Sequence, residues 1–269
     1  MRDVRKIGRR TWLARATGGA VAVWTSLNLS GCGGNWSVSV GGPVVSGAVD
    51  FGDGIRRVPL GQNGFTTSYI VVRRGEAAIV DTGVSGSGQR IGEVLREAGL
   101  GWDAVHHLIV THHHSDHAGS VGEVLNQATT ATVWAGAADI PSIRSPREIK
   151  AAEDGAEVFG LRIIATPGHT LGHVSVYDPA ASTFISGDAL TNVGGTLAGS
   201  PPQYTADMAK AAESVRKVAG LGFEKAFFMH GDPIEKGAAA QINKLALSLP
   251  NDAAVLARML GAEGTCCGA

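Results

Sequence analysis

The sequence predicts a layered α/β fold, two sheets packed together with helices outside, and three observations predict it. Short β-rich runs precede helical runs in each of two halves of the chain. Apolar residues run continuously or alternate in the former and recur at spacings of three and four in the latter. Glycine is abundant, 38 of 269 residues, and parts these runs with tight turns without making the chain low in complexity.

The first half opens with residues 33–54, rich in Gly, Ser and Val, which read as a linker or a fraying first strand. Ser68–Arg73 and Glu76–Val80 are β-rich and parted by Arg74-Gly75, a hairpin signal. Asp81-Thr82-Gly83 ends the second of them. Gln89–Ala98 carries Ile91, Val94, Leu95 and Ala98 at helical spacing. Val105–Val110 predicts a buried strand, Val121–Leu125 a helix and Ala131–Trp134 a short strand. In the second half, Leu161–Ala165, Val174–Tyr177 and Thr183–Ile185 read as strands. A Gly/Pro-interrupted loop, 191–204, comes next; it reads as plain surface or as a pocket border offering Asn192 and Tyr204. Thr205–Ala219 predicts a helix, Lys225–Met229 a strand, and Ile234–Leu249 a final helix stopped by Pro250. A short helix at Ala253–Leu260 would complete a domain spanning 55–262, with 263–269 as a tail. Cys266 and Cys267 lie in that tail.

Charge is unevenly distributed. Residues 1–31 hold six Arg or Lys against Asp3, a net of +5, so the remainder carries −6 of the formal −1. A body of that sign is a poor partner for a phosphate backbone, which excludes a nucleic-acid role and leaves a small-molecule substrate. Cys32, Cys266 and Cys267 are the three cysteines, too few for a zinc ribbon or a disulfide framework. Residues 1–32 read as an export signal: a basic start, Arg9-Arg10 before Trp12-Leu13, then a weakly apolar stretch too short to span a bilayer. The arginine pair resembles a twin-arginine signal. Leu29-Ser30-Gly31-Cys32 resembles a bacterial lipobox, which would make Cys32 a lipid anchor to the membrane. The expected location is therefore outside the cytoplasm, periplasmic, cell-surface or extracellular.

The segment that carries chemistry is Thr111-His112-His113-His114-Ser115-Asp116-His117, at the end of a predicted strand. In a loop leaving a strand, alternate residues project to one side, so His112 and His114 converge. Asp116 and His117 turn toward a second position as a helix begins. Imidazole and carboxylate are donors that zinc accepts and that also suit iron or manganese. A solvated histidine-rich loop would explain this run alone. It does not explain His169, Asp188 and His230, each of which follows a strand-like run beside Gly168, Gly187 or Gly231. Of the remaining histidines, His113 is expected to point away to the surface, His106 and His107 to be structural, and His173 either to support the site or to be structural.

His112-x-His114-x-Asp116-His117 followed by His169, Asp188 and His230 resembles the ligand pattern of the metallo-β-lactamase superfamily. Asp81-Thr82-Gly83 resembles its first motif, and Thr166-Pro167-Gly168-His169-Thr170-Leu171-Gly172-His173 its third. The resemblance implies a four-layer αββα sandwich with the site at the sheet edges. It implies one metal on His112, His114 and His169, a second on Asp116, His117 and His230, with Asp188 bridging and Asp81 supporting the loop by hydrogen bonds. Two divalent ions are implied, zinc first, with iron or manganese as alternatives. The bridging aspartate and the lack of a nearby cysteine make the chain look more like the glyoxalase II and lactonase branches than the antibiotic-destroying enzymes. The expected activity is hydrolysis of an ester, thioester, lactone or amide by a metal-bridging hydroxide that Asp116 orients. Two other readings stay open: a mononuclear-iron redox enzyme of the same fold, and a non-catalytic exported zinc-binding protein. The oligomeric state is left open.

Overall fold

Strand alternation decides the layering. The computed structural model describes residues 47–250. The export signal, the lipobox, most of the linker, the Ala253–Leu260 helix and the cysteine-bearing tail lie outside them. The first half forms a seven-stranded sheet whose spatial order follows the chain. Its strands are β1 (Val49–Asp50), β2 (Ile55–Leu60), β3 (Thr66–Arg73), β4 (Glu76–Val80), β5 (Val105–Val110), β6 (Thr132–Ala135) and β7 (Ile149–Ala151). The pairs up to β4 are antiparallel and those from β4 to β7 parallel. Helix α1 (Gly88–Glu97) makes the crossover from β4 to β5, and α2 (Ser115–Ala118) with α3 (Val121–Gln127) the one from β5 to β6.

The second half builds a five-stranded sheet from β8 (Glu157–Val158), β9 (Leu161–Ala165), β10 (Val174–Asp178), β11 (Thr183–Ile185) and β14 (Lys225–Phe227). Its spatial order is β14-β11-β10-β9-β8, antiparallel except that β14 joins β11 in parallel. A separate hairpin, β12 (Leu190–Val193) with β13 (Thr196–Gly199), follows β11. Helices α4 (Met208–Ala219) and α5 (Ala238–Ser248) flank β14 in sequence.

Because successive side chains point to opposite faces, each sheet feeds two cores. Ile70, Ile79, Leu108 and Val110 pack outward against Ile91, Val94 and Leu95 of α1 and Val121 and Val124 of α3. Their neighbours Tyr69, Val71, Ala78, Val80 and Ile109 face inward and meet Ile163, Val174, Val176, Ile185 and Phe227 of the second sheet. Ile164, Phe184, Ala226 and Phe228 face outward again, onto Val215 and Val218 of α4 and Ile242 of α5. The resulting order is helix, sheet, sheet, helix, the αββα sandwich. No helix among the described residues is long and apolar enough to cross a membrane.

Several boundaries differ from the sequence expectation, each for a local reason. Val49 and Asp50 pair with Arg57 and Arg56, so the last residues of the expected linker join the sheet. The 191–204 stretch is not a plain loop, since β12 and β13 pair across Gly194-Gly195, both at positive φ. Helix α4 starts at Met208 because Asp207 is extended and its carboxylate caps the Lys210 amide. Ile234 exchanges two backbone hydrogen bonds of 2.8 Å with Ala226, extending the sheet where a helix was expected. Left-handed Gly237 then turns the chain into α5.

Tyr69 ties the two sheets together. It is fully buried on β3, its ring lies 5.4 Å from that of Phe227, and its hydroxyl donates to the Phe228 carbonyl at 2.7 Å. Tyr69→Phe keeps the ring but orphans that carbonyl, so urea unfolding is expected to show a loss of about 1–2 kcal/mol. An unchanged midpoint would mean that the carbonyl finds another donor.

Candidate metal centre

Five strands deliver polar residues to one edge of the sandwich. Asp81 follows β4, and His112 and His114 follow β5, with Asp116 and His117 on the single turn of α2. His169 lies beyond β9, Asp188 beyond β11 and His230 beyond β14. These strands share a direction within each sheet, so all five carboxyl ends open on the same crevice, where α/β proteins place their ligands. Ligating atoms of His112, His114 and His169 lie within 4.8 Å of one another, and so do those of Asp116, His117 and His230. Asp188 sits between the sets. One oxygen is 3.4 Å from His117 Nε2; the other is 3.4 Å from His169 Nε2 and 3.5 Å from His230 Nε2.

The donor chemistry fits divalent metal ions. His114 Nδ1 faces His112 Nε2 and His169 Nε2, both at 3.0 Å, while His117 Nε2 faces His230 Nε2 at 3.3 Å. Two nitrogens on one tetrahedral ion at the usual bond length stand ~3.3 Å apart. Hydrogen bonds among the imidazoles cannot satisfy three nitrogens aimed at one point, and the buried Asp188 Oδ1 has no hydrogen-bond partner.

The other ring nitrogens are held from behind, which fixes how each imidazole points. Thr111 Oγ1 donates to Asp81 at 2.7 Å, so it accepts from His112 Nδ1 at 3.1 Å and leaves His112 Nε2 with a free lone pair. His117 Nδ1 lies 2.7 Å from Asp81 Oδ2, and His230 Nδ1 donates to the Phe65 carbonyl at 2.9 Å. His173, expected to support the site or to be structural, supports it through Asp188. Its Nε2 accepts from the Asp188 amide at 2.9 Å, and its Nδ1 donates to Thr166 Oγ1 at 2.8 Å. Gly187 has a φ of +56°, and a Cβ there would come within 2.5 Å of His173 Nε2, so the turn into Asp188 requires glycine.

Burial and neighbouring charge divide the imidazoles into two kinds. Burial, then the adjacent His117, holds His112 well below the ordinary histidine pKa. Burial likewise pushes His169 to about 4 and His173 to about 3. For His117 burial opposes the charge, but Asp188 and Asp81 outweigh it and hold the pKa well above the ordinary value. His230 reaches about 10, because hydrogen bonds to Asp116 and Asp188 overcome its burial. Burial raises Asp116, yet the His230 hydrogen bond keeps it below the usual carboxylate range.

Two features were not legible in the sequence. His113 belongs to neither donor set and is partly exposed, but it lines a cavity of about 480 Å³ beside His114, His169, Leu171 and Tyr204, with its Nδ1 3.0 Å from Asp139 Oδ2. Asp139, which sequence reasoning missed, is buried and accepts from the His113 amide (3.0 Å), Thr170 Oγ1 (2.6 Å) and the Gly172 amide (2.8 Å). It thereby locks the His112–His117 loop to the His169 loop. A lone aspartate after a short strand gives no signal of this, because its partners are 26 to 33 residues away. Of the two residues expected at a pocket border, Tyr204 lines the cavity. Asn192 instead braces His230, its amide donating to the His230 carbonyl at 3.1 Å. His106 and His107 lie apart from the site, near Glu76 and Trp134. A larger hollow of about 600 Å³, bordered by Trp102, Arg96 and Glu123, lies on the α1–α3 face and holds no cluster of ligating groups among the described residues.

Asp139→Ala removes three acceptor contacts at once and is expected to cost about 2–3 kcal/mol in denaturant unfolding. Hydrogen exchange should show the His113 and Gly172 amides losing protection together. If both stay protected, Asp139 does not hold the two loops.

Comparison with known proteins agrees with this architecture. Residues 61–230 match the family model described as the metallo-beta-lactamase superfamily. A hydroxyacylglutathione hydrolase of Rhodobacter capsulatus is 41% identical over 93 residues, 34% of this chain and 36% of its own length. One of Pseudomonas entomophila (strain L48) is 34% identical over 154 residues, 51% of this chain and 57% of its length. The chain thus spans about a third of the first relative's length and little more than half of the second's. Among solved structures, a metallo-β-lactamase family protein from Thermus thermophilus aligns with a TM-score of 0.59 at 24% identity, covering 77% of this chain and 81% of that one. A metallo-β-lactamase from Cronobacter sakazakii aligns with a TM-score of 0.58 at 16% identity, covering 78% and 92%. The matched segment runs from before Asp81 to His230 and takes in every strand-end residue of the site, and the chain belongs to the metallo-β-lactamase superfamily.

Proposed function

We propose that the chain is a metal-dependent hydrolase that binds two divalent ions, zinc in the first place, and cleaves an ester, thioester, lactone or amide. The observation that carries this reading is the convergence of seven strand-end donors in two sets with Asp188 between them. His112, His114 and His169 would hold one ion, Asp116, His117 and His230 the other, and Asp188 would bridge them. Divalent ions bound there supply Lewis acidity, which polarises a carbonyl and acidifies water.

The protein's own groups do the rest. Asp116 is the more exposed of the two carboxylates, lies 3.2 Å from His230 Nε2 and is kept ionised by it. Ionised, it can accept a hydrogen bond from a water and orient it. His113, Leu171 and Tyr204 border the cavity where a substrate would lie beside His114 and His169. The named activity of the relatives, hydroxyacylglutathione hydrolysis, supports hydrolysis of an activated carbonyl. We further propose that the protein is exported, from the paired arginines before a short apolar stretch, with Cys32 as a lipid attachment point.

Metal content per chain, with ester, lactone and β-lactam turnover before and after chelation, tests the reading. About two equivalents and chelator-sensitive turnover are expected. One iron with oxygen consumption would favour redox chemistry, and two metals without turnover a binding protein. Asp116→Ala should lower kcat/KM by roughly 10²–10⁴-fold while circular dichroism stays unchanged.

Metal uptake should also be coupled to protons. With a pKa of about 10, metal-free His230 is protonated at neutrality, and its Nε2 must lose that proton to become a ligand. Affinity is expected to rise with pH toward that value. Calorimetry at pH 7 in buffers of different ionisation enthalpy should show net proton release. Zero release would count against ligation by His230.

A further inference from the structure

The described surface exposes five large hydrophobic side chains; three of them, Phe65, Leu171 and Tyr204, lie beside the candidate metal centre, and a fourth, Val193, is on the neighbouring hairpin. Each of these four is between 58 and 66% exposed. The Phe65 ring lies 4.8 Å from that of His230. Val193 follows Asn192, which is bonded to His230 and Asp232 through its backbone. Leu171 and Tyr204 line the cavity on the opposite side, with His114 and His169. Scattered exposed apolar residues need no explanation, but Leu171 and Tyr204 on the cavity, with Phe65 against His230, mark a binding site.

Cations are missing from the same rim. The residues lining the cavity include no lysine or arginine. Arg57, which reaches the His230 loop, is buried and donates to the Gly231 carbonyl at 3.0 Å, behind the site. A substrate carboxylate is ordinarily met by a guanidinium fork or an ammonium.

We propose that the site takes a neutral carbonyl compound bearing an extended apolar chain or ring, which Phe65, Leu171 and Tyr204 hold. This rests on the hydrolase reading above and sets the chain apart from its relatives, whose named substrate is a glutathione conjugate carrying fixed charges. Apolar contact on an open rim removes methylenes from water without enclosing them, so selectivity is graded with chain length.

The test uses the full chain loaded with zinc and a series of 4-nitrophenyl esters from acetate to octanoate, beside a lactoyl thioester of glutathione. We expect kcat/KM to rise roughly two- to fourfold per added methylene, with the octanoate well ahead of the thioester. Phe65→Ser and Tyr204→Ser, both at exposed positions, should each flatten the dependence on chain length without shifting the melting temperature. A flat series, or a tenfold preference for the glutathione thioester, would overturn the inference and leave the hydrolase standing. No turnover of any member would overturn both.

Discussion

Asp81 is the group on which the site and much of its sheet depend. It is buried at the carboxyl end of β4 with a φ of +61°, a conformation that aspartate tolerates better than most residues. Its carboxylate accepts from the Thr111 amide and hydroxyl, each at 2.7 Å, and meets His117 Nδ1 at the same distance. The end of β4, the exit of β5 and the turn of α2 are thereby held by one side chain. Thr82 adds to this, since its amide and hydroxyl both donate to the His117 carbonyl. Through Thr111 the same carboxylate also orients His112. Both proposed ion sites therefore take their geometry from one buried acceptor, and a strained backbone is the cost of placing it there.

Crowding six imidazoles, His112, His114, His117, His169, His173 and His230, at a sheet edge raises a problem of charge. Protonated together they would repel at close range, and burial disfavours each charge as well. The structure answers in two ways. His112, His169 and His173 are kept neutral by burial, with their protons directed outward to threonine hydroxyls where a partner lies in reach. His117 and His230 are instead held charged by Asp188, Asp81 and Asp116. Asp188 is the pivot of this arrangement: it faces both sets, is almost fully buried and carries an unpartnered oxygen. A bound cation pair and the two protonated imidazoles are alternative ways of balancing the same carboxylates.

The second half of the chain contributes less by its strands than by the connections leaving them. The His169 loop is pinned by Asp139 on one side and by backbone bonds from Ala206 and Asp207 on the other. The β12–β13 hairpin lies along the His230 turn, where Asn192 bonds to His230 and Asp232 through its backbone. These same connections supply Leu171 and Tyr204 of the cavity, so the segments that hold the candidate donors also border the space in front of them.

The amino-acid sequence by itself determined the candidate donors and the strands that carry them. A dense His/Asp run at the end of Val105–Val110, and isolated His169, Asp188 and His230 beyond further apolar runs, are local patterns, and local patterns survive in one dimension. The hairpin at Arg74-Gly75 was legible for the same reason, since both residues take the positive φ that the turn demands. Only the tertiary structure decided which residues support those donors. Asp139, His113 and the β12–β13 hairpin act through partners dozens of residues away, and no spacing rule announces such pairs. The start of α5 was misplaced because Ile234 is drawn into bonds with Ala226, where sheet pairing overrides helical spacing. The apolar rim likewise exists only in three dimensions. Phe65, Leu171 and Tyr204 are isolated single residues along the chain, and folding brings them to the histidines at the same sheet edge.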